Sequence, residues 1–312
     1  MADARSIPSN PYSRRSTRQG GFSLVELLVA MVVASIVLAG ALTITLSSRE
    51  IYEADQGRTD VNQNLRSALD LVGIDLRQAG ERLPADFPAL EIIDGADGSP
   101  DTLVVRRNLL STVLPVCEQI DAGSTSDEVR VVDTGSTPPQ GCDPVPDNNG
   151  DGWPDNIEAW RTHRDAQGGS IFAYVYNPVS RQGEFFLYDG EGATDDHFNR
   201  GDGDAWQNTY LVSEMCRVYL IEERTFGLDQ DLLQYVPTDD PTNPINLVDH
   251  MIDLQINAIL SDGSIQSSFS ASDAWDDLRA IEVTVSGETR IRQQSVNRTL
   301  SARYFPRNVL SL

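Results

Sequence analysis

Five oxygen-bearing side chains fall in a fixed order in the run Asp147-Asn-Asn-Gly-Asp-Gly-Trp-Pro-Asp-Asn-Ile-Glu158. Counted from Asp147, they occupy the positions at which a twelve-residue loop wraps a hard cation. Asp147, Asn149 and Asp151 stand at positions 1, 3 and 5. Gly152 takes the sharp turn at position 6, and Trp153 offers its carbonyl at position 7. Asp155 acts directly or through water, and Glu158 closes the ring with two oxygens. The chemistry this implies is calcium binding, because calcium takes six to eight oxygens at flexible angles. The competing reading is an Asx-rich turn whose carboxylates are simply solvated. If calcium binds, its expected role is a structural staple on an irregular excursion between Cys117 and Tyr174; a regulatory switch is the lesser alternative.

A second chemical oddity is Glu26, a lone carboxylate at the head of an apolar run. Residues 27–46 carry no charge. Twenty residues rising about 1.5 Å each span about 30 Å, the thickness of a bilayer core. A carboxylate near such a segment asks for a partner. Ahead of it lies a basic, polar leader with Arg5, Arg14, Arg15 and Arg18, ending at Gly21. The bland reading is an uncleaved signal anchor. An ordinary secretory signal has a shorter apolar stretch followed by a small-residue cleavage site, whereas here the cleavable-looking Gly21 precedes the stretch.

Other chemistry is thin. The stretch 189–204 gathers Asp195, Asp196, His197, Asp202 and Asp204 in no loop register, and a solvated loop is expected there. His163, His197 and His250 are the only histidines and sit in no triad-like or metal-ligand setting. No nucleophile elbow, zinc-protease or phosphate-loop motif is present. The chain is expected not to be an enzyme.

The elements that must carry these groups follow from periodicity. Past residue 46, Ile51, Ala54, Val61, Leu65, Ala68, Leu69, Val72, Leu76 and Ala79 recur mostly three or four apart. That is an amphipathic helix with one apolar stripe. Gly80 suits the position just past its end and Pro84 prevents its resumption. One helix is therefore expected over 22–79. The rest alternates or runs apolar in short stretches between turns. Strands are expected at 102–106, 129–132, 171–176, 184–188, 216–221, 232–236, 252–260, 281–285 and 299–305. The fold class is α+β: a long N-terminal helix packed on an antiparallel sheet. The expected organisation is a leader over 1–21, a membrane or filament-core helix over 22–46, and an amphipathic half over 47–80. A β-rich domain fills 81–312, with a loop-rich insertion around 117–170.

Composition bounds the partners. The 312 residues carry 24 basic and 47 acidic side chains, for a formal charge of −23, and every basic residue is arginine. Removing the leader takes four arginines and one aspartate, leaving about −26. Such a surface repels phosphate backbones, so direct nucleic-acid binding is not expected. The leader's arginines suit retention on the cytoplasmic side with the remainder exported. In an oxidising compartment the three cysteines imply one disulfide and one leftover thiol. Proximity favours Cys117 with Cys142, leaving Cys216 as a buried thiol; the other pairings stay open.

The run Gly21-Phe22-Ser23-Leu24-Val25-Glu26, entering a membrane-length helix, resembles the class III signal of type IV pilins and type II secretion pseudopilins. The resemblance implies cleavage by prepilin peptidase between Gly21 and Phe22 and methylation of the Phe22 amine. It also implies a partner for Glu26: the Phe22 amine of a neighbouring subunit. Within the family, Asn64-Leu-Arg-Ser-Ala-Leu-Asp-Leu, Asp75-Leu-Arg-Gln-Ala-Gly80, Asp101-Thr-Leu-Val-Val-Arg106 and Trp275-Asp-Asp-Leu-Arg-Ala280 are most similar to PilW-type minor pilins. Similar phrases occur in the secretion pseudopilin GspJ. What the PilW likeness implies is a subunit that primes assembly or caps the filament tip with other minor and major pilins. It would sit in the inner membrane with an exported C-terminal domain, then at the pilus or cell surface. The alternatives are a GspJ-like pseudopilin and a membrane-tethered, calcium-dependent adhesin.

Overall fold

The computed structural model describes residues 21–308 apart from 86, 151, 193–195, 239, 292–293 and 307. The chain divides into two compact units, Met1–Asp55 and Gln56–Leu312. A single helix, α1 (Leu24–Gln78), runs through the division.

In the first unit, every described residue from 21 to 52 is exposed. This part of α1 is apolar enough to cross a membrane, with a mean hydropathy of 2.7 over its best window. Its hydroxyls are satisfied within the helix. Ser35 donates to the Met31 carbonyl at 2.7 Å, Thr43 to Ala39 at 2.9 Å and Thr45 to Ala41 at 2.8 Å. Such back-bonding suits a helix whose surroundings offer no water.

The second unit begins where the apolar stripe narrows to one face. Val61, Leu65, Ala68, Leu69, Val72 and Leu76 are buried, at the three- and four-residue spacing read from the sequence. The helix stops at Gln78; Gly80, at φ 75°, turns the chain away and donates its amide to the Arg106 carbonyl.

Fifteen strands and a second helix are described after it. They are β1 (Leu90–Ile93), β2 (Thr102–Asn108), β3 (Leu114–Pro115), β4 (Glu128–Arg130), α2 (Asp155–Ala166), β5 (Ile171–Asn177), β6 (Gln182–Glu191), β7 (His197–Arg200), β8 (Arg217–Tyr219), β9 (Ile221–Asp229), β10 (Leu232–Pro237), β11 (Ile245–Val248), β12 (Met251–Leu260), β13 (Ile265–Gln266), β14 (Leu278–Ile291) and β15 (Gln294–Tyr304). All strand pairs are antiparallel. They form three sheets, ordered β1-β2-β9-β10-β11, β13-β12-β14-β15 and β3-β8-β5-β6-β7-β4.

The α+β fold class, a long N-terminal helix with an antiparallel β-sheet domain, is thus observed, the domain being built of three sheets. The stretch 216–221 is also split, ending β8 at Tyr219 and opening β9 at Ile221 in a different sheet.

Two main cores result. The helix stripe packs with Leu254, Ile256, Ile281, Val283 and Val285 of the four-stranded sheet and with Leu90, Leu103 and Phe226 of the five-stranded one. Close approach needs two glycines. A Cβ on Gly73 would overlap the Tyr304 ring, and one on Gly287 would meet the His250 carbonyl at 2.8 Å and Leu65 at 3.2 Å. Tyr304 in turn donates its hydroxyl to the Leu69 carbonyl at 2.5 Å. Polar anchoring comes from Arg224, whose Nη1 reaches both oxygens of buried Asp75 at 3.1 Å.

The second core joins the six-stranded sheet to α2 through Ile157, Trp160, Phe186, Tyr188, Phe198 and Trp206.

Candidate functional site

At the N-terminal site, α1 begins two residues after Phe22, with the Leu27 amide donating to the Ser23 carbonyl at 3.1 Å. Glu26 therefore lies in the first helical turn, where a negative charge is favoured by about 0.3–1 kcal/mol through the helix dipole. Phe22, Leu24 and Val25 are exposed with it. A Cβ on Gly21 would meet no described atom within 4 Å. Among the described residues, Gly21 therefore stands in open space with the Glu26 carboxylate about one helical turn beyond it. Leader residues 1–20 lie outside the described residues.

In the acidic loop, Asp147 accepts the amides of Gly150 at 2.6 Å and Gly152 at 2.9 Å. Both glycines have left-handed φ values, 78° and 97°, which let the chain curl around that carboxylate. The Asn149 amide donates to Glu158 Oε2 at 2.9 Å, bringing loop positions 3 and 12 together. Asp155 instead accepts from Asn148, from its amide at 3.1 Å and its side chain at 2.6 Å. Asp151, the expected fifth-position ligand, lies outside the described residues. Trp153 is half-buried, with the Arg161 guanidinium 4.3 Å above its ring. Among the described residues, no three His, Cys, Asp or Glu side chains are grouped as a metal site.

Helix α2, which the sequence reading missed, opens at Asp155 and puts Glu158 in its first turn. Trp160 donates Nε1 to the Thr112 carbonyl at 3.0 Å and its ring meets Phe198 at 5.3 Å. Arg164 donates to Glu191 at 2.8 Å, and Glu191 also takes the Tyr188 hydroxyl. Burial and that hydrogen bond push the Tyr188 hydroxyl well above the ordinary tyrosine range. The insertion expected as irregular is therefore seated on the six-stranded sheet by a helix. Its signal was weak because only Ile157 and Trp160 mark the buried face, with an arginine at 164 completing it.

The Cys117–Cys142 disulfide is present, with a Cα–Cα distance of 5.7 Å. Cys216 is a buried free thiol donating to the Leu211 carbonyl at 3.3 Å, and burial pushes it up to about 11.

The stretch 189–204, expected as a solvated loop, contains β7 instead. His197 lies between Asp196, 2.8 Å from Nδ1, and Glu128, 3.6 Å from Nε2. Arg200 is buried against Trp206 with its centre 4.2 Å above the ring, and Asp202 pairs with it. Arg200 of β7 thus answers Asp202, and Arg130 of β4 answers Asp196. Asp195 lies outside the described residues.

Residues 16–42 match the prokaryotic N-terminal methylation motif. Over 132 residues the chain is 31% identical to the pilin-like protein PilA3 of Thermus thermophilus. That alignment takes in 39% of this chain and 57% of the relative, so the chain spans somewhat over half of PilA3's length. No solved structure matches. The chain thus joins a match to the methylation motif at its N-terminus to a long helix followed by antiparallel sheets. The methylation motif and the relative together support a type IV pilin family protein with a class III prepilin signal. The motif and the apolar half of α1 are consistent with membrane anchoring.

Proposed function

We propose that this chain is a minor type IV pilin that takes part in pilus assembly, in a priming or tip complex. Prepilin peptidase hydrolyses the Gly21–Phe22 amide and the new Phe22 amine is methylated. Before assembly the helix over 22–46 anchors the chain in the inner membrane with the remainder exported; afterwards it stands at the pilus or cell surface. In the filament, the Phe22 ammonium of one subunit neutralises Glu26 of another. That pairing removes two charges from an apolar environment, where an isolated carboxylate costs several kcal/mol. The reading assigns the chain no catalysis and no direct nucleic-acid contact.

The observation that carries it is the Gly21–Phe22 bond about one turn ahead of Glu26, on a helix whose apolar half is fully exposed. The size of the second unit, 56–312, favours a specialised subunit over the repeating body of a filament. The test is mass spectrometry of the native protein in wild-type and peptidase-deficient cells, with pili purified in parallel. A methylated Phe22 terminus and substoichiometric presence in pili are expected; an intact leader in wild-type cells refutes the reading.

A GspJ-like secretion pseudopilin is the second reading, favoured by the shared phrases 64–71 and 275–280. Deletion that blocks protein export while sparing piliation selects it. A tethered adhesin that never polymerises is selected if Glu26→Ala leaves surface function intact.

A further inference from the structure

The four-stranded sheet ends on a strand with one open side. β15 is its last member, and among the described strands β14 alone pairs with it. No other backbone hydrogen bond among the described residues reaches 294–304. The eleven residues of β15 run about 35 Å, with a row of amides and carbonyls open along that side. Native edges are usually blunted by being short, bulged or broken by proline. β15 is about twice the usual strand length. It keeps an unbroken register with β14 and contains no proline.

A second, independent feature lies along the same edge. Cross-strand partners share a face of the sheet, and Arg298 is opposite Gly287, where a Cβ would meet Leu65 and Val61 of α1. Arg298 therefore stands on the helix side of the sheet, exposed at its margin. At the other end of β15, the Arg77 guanidinium is 5.6 Å from the centre of the Tyr304 ring. Arg66 lies about three helical turns before Arg77, on the stripe of α1 that Gly73 sets against Tyr304. Both are exposed. In a chain with 47 acidic and 24 basic side chains, Arg106, Arg130, Arg164 and Arg224 are held in ion pairs. On the outer face of the same hairpin, Arg303 and Arg290 are paired with Glu282 and Glu288. Arg66, Arg77 and Arg298 have no ion pair among the described residues, and one acid, Asp70, stands near enough to act on Tyr304.

An open backbone edge recruits a strand, and arginines without acidic partners recruit carboxylates. Both features fit one occupant. We propose that β15 accepts an extended acidic segment of a partner protein as a further strand of the four-stranded sheet. The segment's backbone pairs with 295–304, and carboxylates on its helix-side face meet Arg298, Arg66 and Arg77. A second copy of this chain, paired edge to edge through β15, fits less well, because Arg298 and Arg303 of both copies would gather on one ribbon. The same charge deters self-pairing of the edge and leaves it open to an acidic strand. Such docking requires neither processing at Gly21 nor entry into a filament.

The full-length chain in detergent is titrated into a fluorescent peptide as long as β15, alternating glutamate with valine or threonine, and read by anisotropy. Capture is expected at roughly 10–100 μM, weak in keeping with a single added strand. The same peptide with lysine in place of glutamate is not captured. Arg298→Glu and Arg66→Glu each weaken capture about fivefold, the scale of one exposed ion pair. Arg181→Glu, between β5 and β6, leaves it unchanged. Hydrogen exchange slows at alternate amides of β15 when the peptide binds. Two further peptides carry N-methyl groups on every second amide, one in each register. One of them loses capture, since an added strand turns only alternate amides toward β15. Absence of capture up to about 1 mM overturns the proposal. Equal affinities of the two methylated peptides overturn it as well, by assigning the contact to charge alone. Protection of β15 that rises with protein concentration in the absence of peptide assigns the edge to a second copy and overturns it too.

Discussion

Replacing Gly73 by alanine sets two physical effects against each other, and the structure decides the sign. Alanine in a helix interior is favoured over glycine by about 0.8–1 kcal/mol, so a reading from α1 alone expects stabilisation. At position 73, however, the added Cβ would overlap Cε1, Cζ and Oη of Tyr304. That ring is nearly buried, at 7% exposure, and its hydroxyl is fixed on the Leu69 carbonyl at 2.5 Å. It cannot swing aside without breaking that bond and moving β15. Overpacking of this kind costs about 1–3 kcal/mol, and losing the hydrogen bond adds about 1 kcal/mol. Against the propensity gain, net destabilisation of about 1–3 kcal/mol is expected. For a domain of 150–250 residues, each kcal/mol lowers Tm by about 2–4 °C, giving a drop of roughly 2–12 °C. The assay is thermal unfolding by circular dichroism in fixed detergent. In a Tyr304→Ala background the obstacle is gone, and Gly73→Ala should then stabilise by about 1 kcal/mol. The double-mutant coupling, about 2–4 kcal/mol, isolates the contact from propensity. A raised Tm for Gly73→Ala in the wild-type background refutes the close approach.

Three further outcomes follow from the second unit. Cys117→Ser removes a bridge separated by 25 residues, and chain entropy sets the loss at about 3.5 kcal/mol; denaturant titration measures it, and thiol labelling of the unfolded wild type should find one reactive group, Cys216. Burial pushes Tyr174 from 10.0 up to about 12, so the stability its neutral form supplies is complete below pH 10 and lost between pH 10 and about 12. Tyr174→Phe should flatten that alkaline loss in pH-dependent melts; an unchanged profile contradicts it. Burial works against the Glu222 charge, yet the Arg107 hydrogen bond and the Arg224 charge hold its carboxyl below 4.5. Its contribution is present above pH 4.5 and disappears as pH falls through the depressed value. Glu222→Gln should therefore destabilise at neutral pH and converge with wild type in acid.

What could be read from the sequence was local. The stripe from Val61 to Ala79 reports one helical face, and its spacing alone locates the buried side chains. Strands such as β12 and β14 announce themselves by alternation, because one face is dry and the other wet. The prepilin signal was legible because its chemistry is contiguous: bond, amine and carboxylate lie within six residues. The division into three sheets was not legible. It rests on pairings such as Arg106 with Glu223 across β2 and β9, which no local pattern encodes. The role of Gly73 was equally silent, since its partner Tyr304 is distant in sequence and the residue otherwise looks like a helix defect. Helix α2 fell between the two cases. Its period is correct, but a buried arginine stands where an apolar residue would have announced it.

Charge shows the same limit and then repays attention to the fold. The sum of −23 says nothing about which groups face water. Arg106 is largely buried against Glu223, at 2.5 Å, and Glu91, at 3.4 Å. Arg107 is paired with Glu222, Arg164 with Glu191 and Arg200 with Asp202. Each such pair subtracts one arginine and one acid from the surface and leaves the excess of acids unchanged. Because arginine is the scarcer partner, the surface becomes proportionally more acidic as pairs withdraw. Interactions among those exposed charges are screened beyond about 8 Å at physiological ionic strength.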